Sequence, residues 1–194
     1  MKIIGVDTEI PNMVVGCDPG PEHCALILVE HSENGFNICG GCYPTWQEIM
    51  TKGSSVNEVI PFGRHFVFAY EKVTTRYGAV PGATTYDTCR NAGVCVARFS
   101  QLADAVYALG TVDWRVALGG RTNLKDSEVR AELINILGKT GEGVIGAIAK
   151  RYKDAYKLDK PIGCHLRDAA GVAIGAFLMK RHGTSVKERE VWHV

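Results

Sequence analysis

The sequence has no apolar run near the roughly 20 residues that span a bilayer, so a membrane-embedded protein is not expected. Its opening residues, MKIIGVDTEIPNM, carry acids where a secretion signal would carry a long apolar stretch and a small-residue cleavage site. The expectation is a cytoplasmic protein. Internal repeats and low-complexity segments are missing, which excludes solenoids and disordered arrays. A disulfide framework is missing too: the seven cysteines are odd in number, and most sit in apolar runs. Buried, reduced thiols are expected. Cys39 and Cys42, in CGGC, have half of a zinc-site spacing, but Cys89 and Cys95 are six apart and supply no second half. A charge surplus is also absent, since the net charge is +1 and by itself points to no partner.

What is present is ordinary for a globular chain. The 194 residues are 46% hydrophobic, 22% charged and 8% aromatic, enough for one well-buried domain over 1–194 and too little for two. The charge is unevenly placed, however. Residues 1–110 hold seven Lys+Arg against eleven Asp+Glu, whereas residues 111–194 hold fifteen against ten. The basic residues gather as Arg115, Arg121, Lys125 and Arg130, then as Lys150, Arg151, Lys153, Lys157 and Lys160. A polyanion can lie across such a half; a solvated helix face is the plainer reading of the second group.

Strands are predicted at 13–18 (MVVGCD, halted by Pro19-Gly20), 24–30 (CALILVE), 35–42 and 65–70 (HFVFAY), the first two forming a hairpin. Residues 44–60 suggest a helix interrupted at Gly53. A Gly/Pro/Thr-rich loop is predicted over 74–82. A long helix is then expected from about Thr84 to Leu109, apolar on nearly every face and so in need of burial on two sides, one against a second copy of the chain. Residues 112–118 (VDWRVAL) suggest another strand, followed by helices over 125–137, about 144–157 and 165–179. The sum is an α/β domain with a mixed sheet flanked by helices.

Three carboxylates occupy an unusual position, each at the edge of an apolar element. Asp18 ends one strand, Glu71 ends another, and Asp168 opens an apolar helix with His165 three residues earlier on the same helical face. Charge is costly against a core unless it is paired or metal-bound. Oxygen ligands with one imidazole suit Mg2+, with Mn2+ able to substitute. Two such ions, about 4 Å apart, serve phosphodiester hydrolysis. In that reading Asp18 bridges both ions, Glu71 holds one, and His165 with Asp168 the other. Each residue also has a bland reading: Asp18 as a turn former before Pro-Gly, Asp168 as a helix-start carboxylate, Glu71 as a salt-bridge partner of Lys72 or Arg76, His165 as a plain helix-start residue.

The run VVGCDPGPEHCALILVE resembles the opening hairpin of the RuvC-type Holliday-junction resolvases, FAYEKV resembles their glutamate-bearing strand, and HLRDAAGVAIGAF resembles their closing helix. Order and spacing agree over about residues 13–180. The resemblance implies an RNase H-like fold, a homodimer, and paired symmetric nicks in a four-way DNA junction, with Asp18, Glu71, His165 and Asp168 as metal ligands. It further implies that Arg76 and Tyr77, just after Glu71, reach into the junction, and that Lys125, in GRTNLKDSEVRAELI, is a phosphate ligand near the scissile bond, where its bland reading is an ordinary exposed lysine before a helix; Arg115 and Arg121, from the first basic group, are further candidate DNA contacts. Residues 1–12 precede the usual start, and their GVDTE imitates the acidic motif; Asp18 is preferred to Asp7 or Glu9 because strand 24–30 follows it at the proper distance. Such an enzyme would work in the cytoplasm, on the nucleoid in a bacterium or in the host if phage-encoded. Alternatives are another RNase H-like nuclease acting on flaps, forks or RNA–DNA hybrids, and a silent branched-DNA-binding module. An actin-like phosphotransferase would require further glycine-rich phosphate loops.

Overall fold

The computed structural model describes residues 11–51, 54–73 and 82–181. Five strands, β1 (Met13–Pro19), β2 (Cys24–Ser32), β3 (Gly35–Cys42), β4 (Val67–Glu71) and β5 (Ala105–Leu109), form one sheet in the order β3-β2-β1-β4-β5. β1, β2 and β3 pair antiparallel through short connections, whereas β4 joins β1, and β5 joins β4, in parallel. Central β1 is buried along almost its whole length, which accounts for a continuous apolar run rather than an alternating one. The helices are α1 (Trp46–Met50), α2 (Ala83–Phe99), α3 (Thr111–Gly119), α4 (Asp126–Tyr156) and α5 (Gly163–Arg181), with a 3₁₀ turn at Ser54–Val59. This is the α/β, RNase H-like arrangement that the sequence suggests.

The apolar helix α5 lies across the sheet and is buried without a break from Ala169 to Phe177. Two close approaches set its position. A methyl group at Gly16 would stand 2.0 Å from the Ala169 carbonyl oxygen and 2.8 Å from the Ala173 nitrogen, so α5 rests directly on the β1 backbone. On its other side, Gly171 and Gly175 face Trp114, each leaving room where a Cβ would come within 2.7 Å of that side chain. Trp114 is fully buried and locks α3 against α5.

Three expectations need correction. The long helix ends at Phe99, and residues 105–109, expected as its last turns, are strand β5. There Tyr107 and Leu109 are buried two residues apart, a strand period, and Val67 pairs with Ala105. Residues 111–119, expected as a strand, are helix α3: Asp113 accepts the Gly110 N–H at its start (3.0 Å), and Gly120, at φ 71°, ends it in the left-handed region. Within the single chain α2 is buried on one side. Its buried positions are Asn91, Ala92, Cys95 and Phe99, one stripe only, while Tyr86 and Cys89 are exposed. The helices expected at 125–137 and 144–157 run together as α4, broken at Gly138, whose φ of 70° interrupts the helical backbone.

Cysteine reading survives in outline. The described cysteines are free thiols, with Cys17, Cys24, Cys42 and Cys95 buried and Cys39 and Cys89 exposed. The sulfurs of Cys17, Cys24 and Cys95 lie within 4.8 Å of one another in the core. No helix among the described residues is long and apolar enough to cross a membrane.

Candidate active site

β1 and β4 run in parallel with Cys17 opposite Tyr70, so the next residues of each, Asp18 and Glu71, leave the sheet at the same edge. This is the carboxyl end of the strands, where open α/β sheets gather ligands. Side chains alternate along a strand, which puts Asp18 on the same face as Gly16, two residues before it. That face touches α5, so the close packing at Gly16 carries the start of α5 to Asp18. His165 Nδ1 and Asp18 Oδ2 are 2.8 Å apart. Helix α5 begins at Gly163, ahead of His165, which places Asp168 in its second turn rather than its first.

Electrostatics show how closely the acids share one field. Burial pushes Asp168 up to about 7, and the Asp18 and Glu71 carboxylates push it in the same direction. Glu71 is raised chiefly by burial and also by Asp18, against the lowering effect of the Thr111 hydroxyl that donates to Oε1. His165 is raised, first by its contact with Asp18 and further by Asp168 and Asp126. Glu71 and Asp168, partly buried and both beside the Asp18 carboxylate, hold their protons above the usual carboxylate range, which marks a place short of positive charge. The donor set, three carboxylates and one imidazole, is the kind that takes a hard or borderline divalent cation. No three of these four groups bring ligand atoms within 4.8 Å of one another; among the described residues only the thiol trio does so. Gathering the acids around one ion therefore takes side-chain rotation.

Several contributors have no motif in the sequence. Thr111 stands at the start of α3 because β5 runs beside β4, and its hydroxyl reaches Glu71. Arg115 donates to the Leu124 carbonyl and to Asp126 (3.4 Å), stacks on Trp114 at 5.1 Å, and lowers both Glu71 and Asp168. The buried indole N–H of Trp114 has no hydrogen-bond partner among the described residues. These residues fell in the segment that imitates a strand, where nothing signals their turn toward Glu71.

The expected DNA contacts divide three ways. Lys125 is exposed at the start of α4, with its backbone N–H on Glu128 (2.8 Å), and the Arg115–Leu124 bond holds this end of the loop beside the acids. Arg115 has its guanidinium engaged internally, and Arg121 is exposed and paired with Glu128 at 3.0 Å. Arg76, Tyr77, Asp7 and Glu9 lie outside the described residues. In the second basic group Arg151 donates to Gly41 and Glu58, and Lys150 pairs with Asp154, as a solvated helix face does.

Beside His165 opens a cleft of about 450 Å³, lined by the β1–β2 turn, Tyr43 and the 158–162 link. Tyr43 packs over His165 with ring centres 6.2 Å apart, and His23 stacks on Tyr43 at 5.0 Å.

A mixed sheet in this strand order, crossed by a helix that brings its first turns to the β1 carboxyl end, has a counterpart among solved structures. The fold is that of the RuvC resolvases. Thermus thermophilus RuvC superposes with a TM-score of 0.64, at 22% identity over 89% of this chain and 97% of that one. T. thermophilus RuvC in complex with Holliday junction substrate gives 0.63 at 22% identity, over 89% and 96%. Ydc2, the yeast mitochondrial Holliday junction resolvase, gives 0.56 at 16% identity, over 92% and 85%. No family model matches the sequence, and no curated protein matches it. In this RuvC-like frame the four sequence-predicted ligands occupy one end of one sheet.

Proposed function

We propose that the chain is a divalent-metal-dependent endonuclease that cuts four-way DNA junctions by paired nicks, as a homodimer. The observation that carries this reading is the meeting of Asp18, Glu71, His165 and Asp168 at the β1–β4 edge, in a fold otherwise seen in resolvases. A second observation supports the substrate class: a solved structure of that fold is in complex with a Holliday junction.

The residues suit Mg2+, with Mn2+ able to substitute, and Asp18, Glu71, His165 and Asp168 would hold it. When bound, such ions lower the pKa of a water and stabilise the leaving oxygen of an in-line displacement. The protein's own part is positional. Asp18 fixes the His165 ring through Nδ1, which leaves Nε2 facing away from that contact. Thr111 orients the Glu71 carboxylate. Lys125, exposed at the start of α4, offers an ammonium for a phosphate, while Arg121, Arg76 and Tyr77 extend the DNA contact, the last two on sequence grounds alone. A site rich in carboxylates repels a phosphodiester until cations neutralise it, so metal and DNA bind cooperatively.

The test is cleavage of a labelled four-way junction beside a linear duplex, a flap and an RNA–DNA hybrid, with magnesium, manganese or chelator. Metal-dependent paired nicks confined to the junction are expected. Preferential cutting of the flap or hybrid would keep the site and replace the substrate; tight binding without any cutting would leave a silent junction-binding module.

A further inference from the structure

The acids account for the reacting phosphate but not for the cleft that shares His165 with them. We infer that this cleft is a subsite for one nucleotide of the cut strand, the one adjoining the scissile phosphate. The inference rests on the endonuclease reading above and adds to it a place where a base is held.

Position comes first. His165 is at once the partner of Asp18 and a wall of the cleft. A phosphodiester seated at Asp18 has its next nucleotide within one backbone step, and the space on the His165 side is this cleft. Its volume, about 450 Å³, falls within the ~300–1,000 Å³ of ligand-sized clefts and far exceeds what an ion needs.

Its chemistry is that of a base and its sugar-phosphate rather than of a polyanion track. Tyr43 and His23 stack on each other, their rings 5.0 Å apart and within 6° of parallel, with His165 and Tyr156 at the two ends of the row, so they give the cleft a rigid wall of ring edges, and Pro21 and Pro161 add flat apolar surface. A base can lie against apolar surface of this kind whatever its identity. Among the described residues Lys160 is the only lysine or arginine on the lining, enough for one phosphate. Glu22 and Asp159, also on the lining, would repel a run of phosphates but can accept from the amino group of a base.

The walls are also braced. Asn91, the fully buried polar side chain on α2, donates its amide to the Gly20 and Pro21 carbonyls at 2.8 and 2.9 Å and fixes the turn that carries His23. Behind His23, Tyr156 packs at 4.8 Å and donates its hydroxyl to Glu48. A cleft held this firmly is formed before DNA arrives, so little ordering is left to the binding step.

The experiment has two arms, both with the full chain. In the first, junctions carrying 5-bromodeoxyuridine at each position around the cut are bound to the Asp18→Asn chain, irradiated, and the cross-linked peptides identified. The nucleotide on one side of the cut is expected to cross-link within residues 21–23, 43 or 158–162. In the second, that base is replaced by an abasic residue. The wild-type rate should fall several-fold, and the fall should shrink in His23→Ala. Lys160→Ala, an exposed change that leaves the fold alone, should raise KM with little change in kcat. Cross-links confined to other peptides while the junction stays bound, or an abasic penalty equal in wild type and His23→Ala, would overturn the subsite and leave the nuclease reading intact. A chain that binds junctions through this cleft yet never cuts them would keep the subsite and overturn the nuclease reading.

Discussion

Replacing Asp168 with asparagine should stabilise the metal-free protein while destroying its activity. Asp168 is held at about 7 by burial and by Asp18 and Glu71, against 3.8 in an unfolded chain. Each unit of such a difference corresponds to about 1.4 kcal/mol, so about 4 kcal/mol is the ceiling. The direction follows from proton binding. Below about pH 4 the group is protonated in both states and costs nothing. Between about 4 and 7 the folded chain holds the proton more tightly, so stability falls as pH rises, and above 7 the whole cost is present. Asparagine cannot ionise and removes that slope, though its amide is still partly buried and polar. About half the ceiling, roughly 2 kcal/mol, is a fair gain at pH 8, or about 4–8 °C in Tm for a domain of this size. Metal reverses the order: an ion at a hundred times its Kd adds about 2.7 kcal/mol to the wild type, and the variant lacks a ligand for it. The assay is thermal melting by circular dichroism at pH 5 and pH 8, in chelator and in saturating magnesium. If Asp168→Asn melts below wild type at pH 8 in chelator, the carboxylates do not repel one another and the argument for a cation among them fails.

Asp18→Asn should keep the fold and junction binding and lose all detectable cleavage, which gel shift and cleavage of one labelled junction will show together; normal cutting would move the site elsewhere. Gly16→Ala should cost about 1–3 kcal/mol in urea unfolding, because the new methyl meets the Ala169 carbonyl at 2.0 Å. In the same variant α5 must back away from β1, and misplacing His165 and Asp168 by about 1 Å should lower kcat on the order of 100-fold; full activity would separate the packing from the site. Asn91→Leu should cost about 1–3 kcal/mol by stripping the Gly20 and Pro21 carbonyls of their donor, and an unfolding midpoint equal to wild type would show that the turn holds without it.

Much of the architecture was legible in the residues. The strands β1 to β4 follow from short apolar runs, the first halted by Pro19-Gly20, and α5 follows from an unbroken stretch of small and apolar residues. Asp18, Glu71 and Asp168 stood out because a carboxylate at the edge of an apolar element needs a reason. These are local signals, carried by neighbours in the chain. The misreadings of element type lie between residues 100 and 119, where local signals conflict. AVYAL continues the apolar character of α2, and VDWRVAL alternates like a strand. Pairing with β4 makes the first a strand, and burial of Trp114 against Gly171 and Gly175 makes the second a helix.

The sequence by itself determined which residues carry charge into apolar surroundings and in what order the strands and closing helix come. Only the tertiary structure decided that β1 and β4 lie side by side in parallel, that α5 rests on Gly16, and that Thr111 and Arg115 turn toward Glu71 and the loop beside it. The physical reason is range: hydrophobic periodicity and turn chemistry act over a few residues, whereas the field that raises Asp168 is made by groups 97 and 150 positions away in the chain, brought near by the packing of the core.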